Sequence, residues 1–245
     1  MDTPTAHTVK SFDDDLRQLR ALIGQMGGIA QEQLDRSVVA MSTRNVAEAE
    51  IIVQNDQQLD ALESEVEQLA IATIARRAPM ADDLRDVIAA LKISAIIERI
   101  GDYAKNNAKR VRTLAQDTPI RPMVIVPEMA RIASSMVRDA LDAYAQRNER
   151  LAEDVCLRDT RVDDFYNSLF RTLLTYMMEN PHHITASTHL LFVAKNIERI
   201  GDHATNIAEV VYYSATGKHL GERPKGDETA SAVAGAAENK GGTPS

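Results

Sequence analysis

An eleven-residue segment of this chain occurs twice, one hundred residues apart. Residues 98–108 read ERIGDYAKNNA and residues 198–208 read ERIGDHATNIA, so eight of the eleven positions are identical. A long repeat at wide spacing is typical of a duplicated structural unit. The 245-residue chain is therefore predicted to contain two similar halves.

The segments that precede the repeat also correspond to each other, at an offset of 103 residues. Asp56 aligns with Asp159 at this offset, and apolar residues recur around both at spacings of three and four. That spacing is typical of amphipathic helices. Pro79 and Pro181 then interrupt the helical pattern. We predict an all-α fold of two tandem, duplicated three-helix bundles.

Six helices are predicted, together with a linker and a tail. The helices cover residues 11–42, 46–77, 80–114, 128–147, 149–179 and 182–215. Asn45 and Asn148 are predicted N-caps, and Gly217 is a predicted helix stop. The first half is assigned to residues 11–116, a linker with three prolines to 117–127, and the second half to 128–216. Residues 217–245 have almost no large apolar side chains and are predicted to be a disordered tail.

Composition excludes several classes of function. The chain has 28 basic and 36 acidic residues and a net charge of −8, which argues against nucleic-acid partners and anionic membrane surfaces. No apolar run reaches the roughly 18 residues that a membrane span requires, so no direct membrane insertion is expected. The single cysteine, Cys156, cannot form an internal disulfide, and we predict a buried thiol in a cytoplasmic protein.

Each half carries two carboxylate pairs spaced four residues apart, so both members of a pair share one helix face. Asp60 and Glu98 both lie nineteen residues from Pro79, which places the pairs at one height if the helices are antiparallel. Four like charges at one height need a cation or a solvent gap between them. The four pairs are Asp56/Asp60, Glu98/Asp102, Asp159/Asp163 and Glu198/Asp202.

Oxygen ligands without converging thiolates favour hard metals such as magnesium, manganese, calcium or ferric iron. Asn106 and Asn206 continue the stripe at the next i+4 position. The alternative is a solvated acidic face, which the paired heights and the duplication make the weaker interpretation. A metal site in each half is therefore the preferred prediction.

Other residues of the repeat have more than one interpretation. Arg99 and Arg199 are predicted to pair with neighbouring carboxylates and orient them, with phosphate binding as the alternative. The glycines of both copies predict a close approach of another backbone or room for an ion. His203 has Tyr103 at the matching position, which favours a packing or hydrogen-bonding role over a metal ligand or phospho-acceptor.

The two copies of Glu-Arg-Ile-Gly-Asp-x-Ala-x-Asn, each closing a three-helix half, resemble the PhoU family of phosphate-signalling regulators. The resemblance covers roughly residues 12–215. It implies a cytoplasmic, often dimeric protein, recruited to the inner membrane face through its partners. Such a protein represses phosphate-starvation genes by coupling the phosphate ABC transporter to a sensor histidine kinase.

The resemblance also implies multinuclear metal clusters held by these carboxylates, with iron, manganese, magnesium or zinc as the ion. Carried over by position, Asp56, Asp60, Glu98 and Asp102 form one site, and Asp159, Asp163, Glu198 and Asp202 form the other. Asn106 and Asn206 bind the metal or support its ligands. The chain departs from the family pattern at Asn107, where Ile207 of the second copy is typical, and looser packing is expected there.

Two other classes of function remain open. A carboxylate-bridged di-metal enzyme would use a Glu-x-x-His string, and the only such string here, residues 179–182, is broken by Pro181. A structural scaffold, or a phosphotransfer domain that uses His203, is the remaining alternative. We find no nucleophile–base pair, glycine-rich phosphate loop or basic cleft in the sequence, and so predict a non-enzymatic protein.

Overall fold

The computed structural model describes residues 4–221, with side chains from Phe12 onward. The regular structure in this range is helical throughout, which confirms the predicted all-α class. Seven α-helices are found in the described part: α1 (Pro4–Thr43), α2 (Val46–Asn55), α3 (Gln57–Arg77), α4 (Asp82–Gln116), α5 (Val126–Gln146), α6 (Glu149–Glu179) and α7 (Ile184–Thr216). Short 3-10 turns precede α5 and α7, at Arg121–Ile125 and Pro181–His183.

The helices form the two three-helix bundles that the duplication predicts. In the first half α1 packs against α4 and against the consecutive helices α2 and α3, which also contact α4. In the second half α5, α6 and α7 pack against one another. The two halves meet where α1 contacts α5 and where α4 contacts α7. The last helix of each half is therefore shared between its own bundle and the interface.

The helix predicted over residues 46–77 is interrupted at Asp56, so the prediction of one continuous helix is wrong at this position. The backbone N–H of Leu59 donates to the carbonyl of Asp56 at 3.0 Å, an i to i+3 bond. Asp56 keeps helical angles, φ −59° and ψ −33°. The local turn is thus tightened to 3-10 geometry while the helix direction continues.

The turns into the second helix of each half confirm the predicted N-caps. Arg44 and Arg147 adopt left-handed φ values of 56° and 51°, which reverse the chain direction. The side chains of Asn45 and Asn148 then each accept the backbone N–H three residues on, at 3.1 Å. These bonds satisfy donors that the first helical turn leaves without a partner.

A buried ion cluster joins the two halves at α1, α4 and α5. The carboxylate of Asp86, only 6% exposed, accepts from Arg20 at 3.1 Å and from Arg147 at 2.8 Å. Two cations from two other helices thus compensate one buried charge. The pair between Asp86 and Arg147 links the two halves, in addition to the contacts of α1 with α5 and of α4 with α7.

Other boundaries differ modestly from the predicted ones. Helix α1 begins at Pro4, before residue 11, and α5 begins at Val126 inside the segment assigned to the linker. Gly217, at φ 70°, ends α7 as predicted. The predicted tail falls largely on residues 222–245, which lie outside the described residues. Cys156 is buried, and no described helix is long and apolar enough to cross a membrane.

Candidate metal centres

The first carboxylate cluster lies between the α2–α3 junction and α4. The ammonium group of Lys105 donates hydrogen bonds to both Asp56, which is buried, and Asp102. Burial lowers the pKa of Lys105, but its bonds to Asp102 and Asp56 outweigh burial and raise that pKa overall. A lysine therefore supplies the positive charge that links the two helices of this cluster.

Glu98 shows how closely the charges of the first cluster approach one another. Its pKa is raised to about 7, first by burial and then by surrounding carboxylates. The carboxylates that act on it, in order of decreasing effect, are Asp102, Glu63, Asp60 and Asp56. The four predicted residues of the first site therefore share one electrostatic environment.

Glu63 belongs to this cluster and was missed by the sequence analysis. Burial, then Asp60 and Glu67, raise the pKa of Glu63, while Arg99 lowers it. It follows Asp60 by three residues, so helical spacing alone could have included it. The search relied on matching residues in both halves, and the residue 103 positions later is Tyr166.

The second cluster lies between α6 and α7. Burial and the neighbouring carboxylates raise the pKa of Asp202 to about 7 and that of Asp163 to about 6. The carboxylates that act on Asp202 are Glu198, Asp159 and Asp163. Lys195 donates to Glu198 Oε1 at 2.7 Å and partly offsets the crowding.

Each repeat contains one glycine, Gly101 on α4 and Gly201 on α7. Because glycine has no Cβ, a side chain of the facing helix can lie close to the backbone there. A Cβ at Gly101 would lie 2.2 Å from Leu59 Cδ1. A Cβ at Gly201 would lie 3.5 Å from both Asp159 Oδ1 and Val162. The close approach predicted here is therefore made by side chains and not by another backbone. Gly201 in particular brings an α6 carboxylate against α7.

The donor chemistry of both clusters suits a hard cation, but the side chains do not surround one. Among residues 12–221 no three His, Cys, Asp or Glu side chains are arranged so that they could hold a metal ion. Lys105 and Lys195 instead supply positive charge within the clusters. One carboxylate oxygen, Glu198 Oε2, is buried without a hydrogen-bond partner and is the atom best suited to a further cation.

The asparagines and arginines of the repeat are placed differently from the carboxylates. Asn106 is partly buried on α4, whereas Asn206 is exposed and lines a groove between α4 and α7. Neither Arg99 nor Arg199 forms an ion pair with a described carboxylate. Arg199 lies with its guanidinium 5.9 Å from the Tyr103 ring centroid. Neither arginine thus makes a direct ion pair within the described residues, while the charge of Arg99 lowers the pKa of Glu63.

His203 and Tyr103, the mismatched positions of the two repeats, touch each other across the α4–α7 interface. Their rings meet edge to face with centroids 5.3 Å apart. His203 Nδ1 donates to the backbone carbonyl of Arg199 at 2.7 Å. Burial, together with the charges of Arg99 and Arg199, lowers the pKa of His203. These contacts agree with the packing and hydrogen-bonding role predicted for this histidine.

Asn107 does not loosen the packing near the first cluster, contrary to expectation. It is fully buried, and its Oδ1 accepts from Asn196 Nδ2 of α7 at 2.9 Å. The positions one hundred residues away, Ile207 and Ile96, are apolar. A polar pair on one side of the interface thus corresponds to two isoleucines on the other.

A groove of about 930 Å³ runs between the N-terminal half of α4 and the C-terminal half of α7. Its lining includes three cationic side chains, Arg85, Lys92 and Arg99, beside Leu84 and Ile88. Glu209 also lines the groove, so three cations share it with one carboxylate. The cations come from widely spaced positions on α4 in an acidic chain, so they form no charge run in the sequence.

Comparison with known proteins places this architecture in a family. The PhoU domain matches residues 23–111 and 126–211. A Zymomonas mobilis phosphate-specific transport system accessory protein PhoU homolog is 54% identical over 222 residues, covering 91% of this chain and 94% of that protein. A Rhizobium meliloti protein of the same name is 46% identical over 226 residues, covering 91% and 95%.

Two crystal structures share the fold. PhoU from Pseudomonas aeruginosa superimposes with a TM-score of 0.81 at 35% identity, covering 84% of this chain and 100% of that one. The phosphate transport system regulatory protein PhoU from Streptococcus pneumoniae gives a TM-score of 0.80 at 25% identity, covering 86% and 100%. The resemblance inferred from the repeated motif is confirmed by both comparisons.

Proposed function

The chain belongs to the PhoU family, and from this premise we propose that it regulates phosphate uptake as an accessory protein of a phosphate ABC transporter. The proposal rests on one observation, the match to PhoU domains across both halves of the chain. The relatives are named as accessory or regulatory proteins and not as enzymes, and this chain is a non-enzymatic protein of that kind.

The finer part of the proposal is negative regulation of the phosphate-starvation response. The chain couples the cytoplasmic ATPase side of the transporter to a phosphate-sensor histidine kinase, and it acts as a homodimer at the inner face of the membrane. A helical body whose halves are joined by the ion pair between Arg147 and the buried Asp86 supports such a role, because a rigid adaptor keeps two docking faces in a constant relation.

Metal binding by the two carboxylate clusters is the second part of the proposal. Asp56, Asp60, Glu98 and Asp102 would hold one centre, and Asp159, Asp163, Glu198 and Asp202 the other. A bound cation would offset the mutual repulsion that raises the pKa of Glu98 and of Asp202 to about 7. Binding requires the carboxylates to turn towards a common point and to release Lys105 and Lys195.

A phosphatase reporter at high phosphate tests the regulatory role. We expect deletion of the gene to derepress the reporter and the intact gene to restore silence. A variant with Glu98→Ala, Asp102→Ala, Glu198→Ala and Asp202→Ala is expected to fail in that complementation. A deletion strain that stays silent at high phosphate contradicts the regulatory proposal.

Two controls show whether a failure to complement comes from the clusters themselves or from a general loss of negative charge or of folding. The matched variant removes four exposed carboxylates elsewhere, by Glu65→Ala, Asp142→Ala, Glu153→Ala and Asp154→Ala, and should complement fully. Circular dichroism should show unchanged helicity in both variants. Metal content per purified chain should fall only in the cluster variant, and equal metal content in all three proteins would contradict metal binding by the clusters.

A further inference from the structure

The duplication creates two equivalent grooves along the interface between α4 and α7. The two helices are antiparallel, because Arg85 near the start of α4 approaches Ser214 near the end of α7, with its Nε 3.4 Å from the Ser214 carbonyl oxygen. At the other end Arg110 of α4 meets His189 of α7 at 3.2 Å. A residue of α4 and the residue of α7 one hundred positions later therefore occupy equivalent places in the two grooves.

The groove between the C-terminal half of α4 and the N-terminal half of α7, called the filled groove below, is occupied by three contacting side chains of the protein, of which Phe192 stays 50% exposed. The guanidinium carbon of Arg110 lies 4.2 Å above the centroid of the Phe192 ring. His189 Nδ1 lies 3.2 Å from the same guanidinium. The cation of Arg110 thus lies over the aromatic face of Phe192 and beside the imidazole of His189.

The residues at the equivalent positions of the other groove are too small or too polar to fill it. Arg110, Phe192 and His189 are replaced by Val210, Lys92 and Ala89. The cation–π pair and its histidine are therefore missing, and a space of about 930 Å³ remains. The same fold position is closed in one half and open in the other.

The open groove combines apolar side chains with a rim on which three cations, Arg85, Lys92 and Arg99, outnumber one carboxylate, Glu209. Leu84, Ile88 and Tyr213 line it and are each 37% exposed, in a chain whose net charge is −8. Lys92 and Arg99 are exposed on its rim and form no ion pair with any described residue. The lining on α4 extends from Ala81 to Arg99, about 27 Å at 1.5 Å per residue.

We propose that this open groove is a docking site for an amphipathic helix of a partner protein, with leucine-like side chains flanked by carboxylates. A groove about 27 Å long suits a helix of roughly eighteen residues. Its apolar face would cover the exposed leucine and isoleucine, and its carboxylates would meet Lys92 and Arg99. The inference rests on the proposed adaptor function and names the chemistry of the partner surface.

Two other occupants fit the groove less well. Residues 222–245 of this chain contain only one large aliphatic side chain, Val233, and so offer little to an apolar floor. A second copy packed symmetrically would bring the same cationic rim against itself. Complementary charge therefore favours an acidic partner helix.

Fluorescence anisotropy with a defined peptide tests the proposal on the full chain. The probe is a labelled helical peptide of roughly eighteen residues, with leucines at i, i+3, i+4 and i+7 and glutamates on either side. We expect micromolar binding to the wild-type chain and no binding of a peptide in which lysines replace the glutamates. Equal binding of both peptides, or of neither, overturns the proposal.

Position-matched variants then locate the site. Ile88→Glu should weaken binding of the acidic peptide at least about tenfold, whereas Thr188→Glu, the equivalent change beside the filled groove, should leave it unchanged. The double variant Lys92→Phe/Val210→Arg introduces the side-chain pair of the filled groove and should also abolish binding. Unchanged binding by both groove variants overturns the assignment, and circular dichroism checks that each variant is folded.

The same experiment distinguishes the other occupants and the parent proposal. Binding that appears only after truncation at Gly221 would assign the groove to the chain's own tail. A dimer that Ile88→Glu converts to monomer would assign it to a second copy, and either result overturns the partner-helix proposal. If the peptide does not bind but gene deletion still derepresses the phosphatase reporter, this inference fails while the regulatory function stands.

Discussion

The two carboxylate clusters occupy equivalent positions in the two halves, yet Lys105 of the first lies inside the repeated segment, whereas Lys195 of the second precedes it. Lys105 follows Asp102 by three residues and reaches across to Asp56 on the neighbouring helix pair. Lys195 precedes Glu198 by three residues and pairs with it on the same helix. The first lysine therefore forms ion pairs with carboxylates on two helices, whereas the second forms its ion pair within its own helix.

The clusters also differ beside the lysines. Glu63 adds a fifth carboxylate to the first cluster, while its counterpart in the second half is Tyr166. The Lys195 ammonium lies 5.2 Å from the Tyr166 ring centroid, a favourable position for a cation over an aromatic face. The duplication has thus kept the positions of the acidic ligands but not the means of balancing their charge.

The largest difference between the halves is expected when each lysine is removed. Lys105→Met should lower the free energy of unfolding by about 2–3 kcal/mol, because it leaves the buried Asp56 without its cation. Lys195→Met should cost less, about 1–2 kcal/mol, because it leaves the buried Glu198 without its cation but breaks no ion pair between helices. Urea unfolding of the metal-free proteins measures both values. Equal losses would contradict the distinction between a cross-helix and a local lysine.

The second comparison uses the asparagine pair and the two isoleucines that correspond to it. Asn196→Ile should cost about 2 kcal/mol, because buried Asn107 then lacks its hydrogen-bond partner. The double variant Asn107→Ile/Asn196→Ile should recover nearly all of this loss, since it reproduces the residue types of Ile96 and Ile207. Chemical unfolding of the two variants and the wild type measures the coupling. Additive losses would show that the pair is not a unit.

The third comparison concerns how the free energy of unfolding depends on pH, with Glu98 from the first cluster and Asp202 from the second. Glu98 and Asp202 both have a pKa of about 7 in the folded protein, raised first by burial and then by nearby carboxylates. The unfolded chain releases these protons near pH 4. The folded state therefore binds more protons between about pH 4 and 7, and stability contributed by these groups falls as pH rises through that window.

Unfolding of the EDTA-treated protein across this pH range measures the effect. We expect a contribution of about 1–2 kcal/mol after allowance for solvent screening. Glu98→Gln/Asp202→Asn should remove this part of the pH dependence. A variant whose profile matches that of the wild type would show that the two groups titrate normally.

The smallest effects should come from the two repeat glycines. Gly101→Ala places a methyl group against Leu59 and should cost about 1 kcal/mol even after the gain in helix propensity. Gly201→Ala meets its neighbours at an ordinary 3.5 Å and should stabilise the chain by up to about 1 kcal/mol. Thermal unfolding of the paired variants decides the sign. A shared sign would mean that the two glycines have the same surroundings.

Much of the fold could be read from local patterns. The asparagine caps, the glycine stop at Gly217 and the apolar periodicity are short-range signals, and each acts within one or two turns of helix. The interruption at Asp56 could not be foreseen in this way, because the adjoining residues keep helical spacing. It coincides with a hydrogen bond from Lys105, which is 49 residues away in the chain.

The candidate sites show the same division. The equal distances of Asp60 and Glu98 from Pro79 predicted that the paired carboxylates lie at one height. They did not indicate which cation faces the carboxylates. Glu63 escaped notice because the second half holds a tyrosine there, and Arg99 turned towards the α4–α7 interface and away from an ion pair. A side chain's partner depends on the helix opposite, which the sequence pattern of its own helix does not specify.

The sequence by itself determined the helical class, the duplication and the positions of the acidic pairs, because these depend on residue spacing along single helices. Tertiary structure alone decided how Lys105 and Lys195 balance those charges, and how Asn107 finds Asn196. It also decided that one of two equivalent grooves is filled and the other open. These outcomes depend on distances between residues far apart in the chain, which are set only when the helices pack.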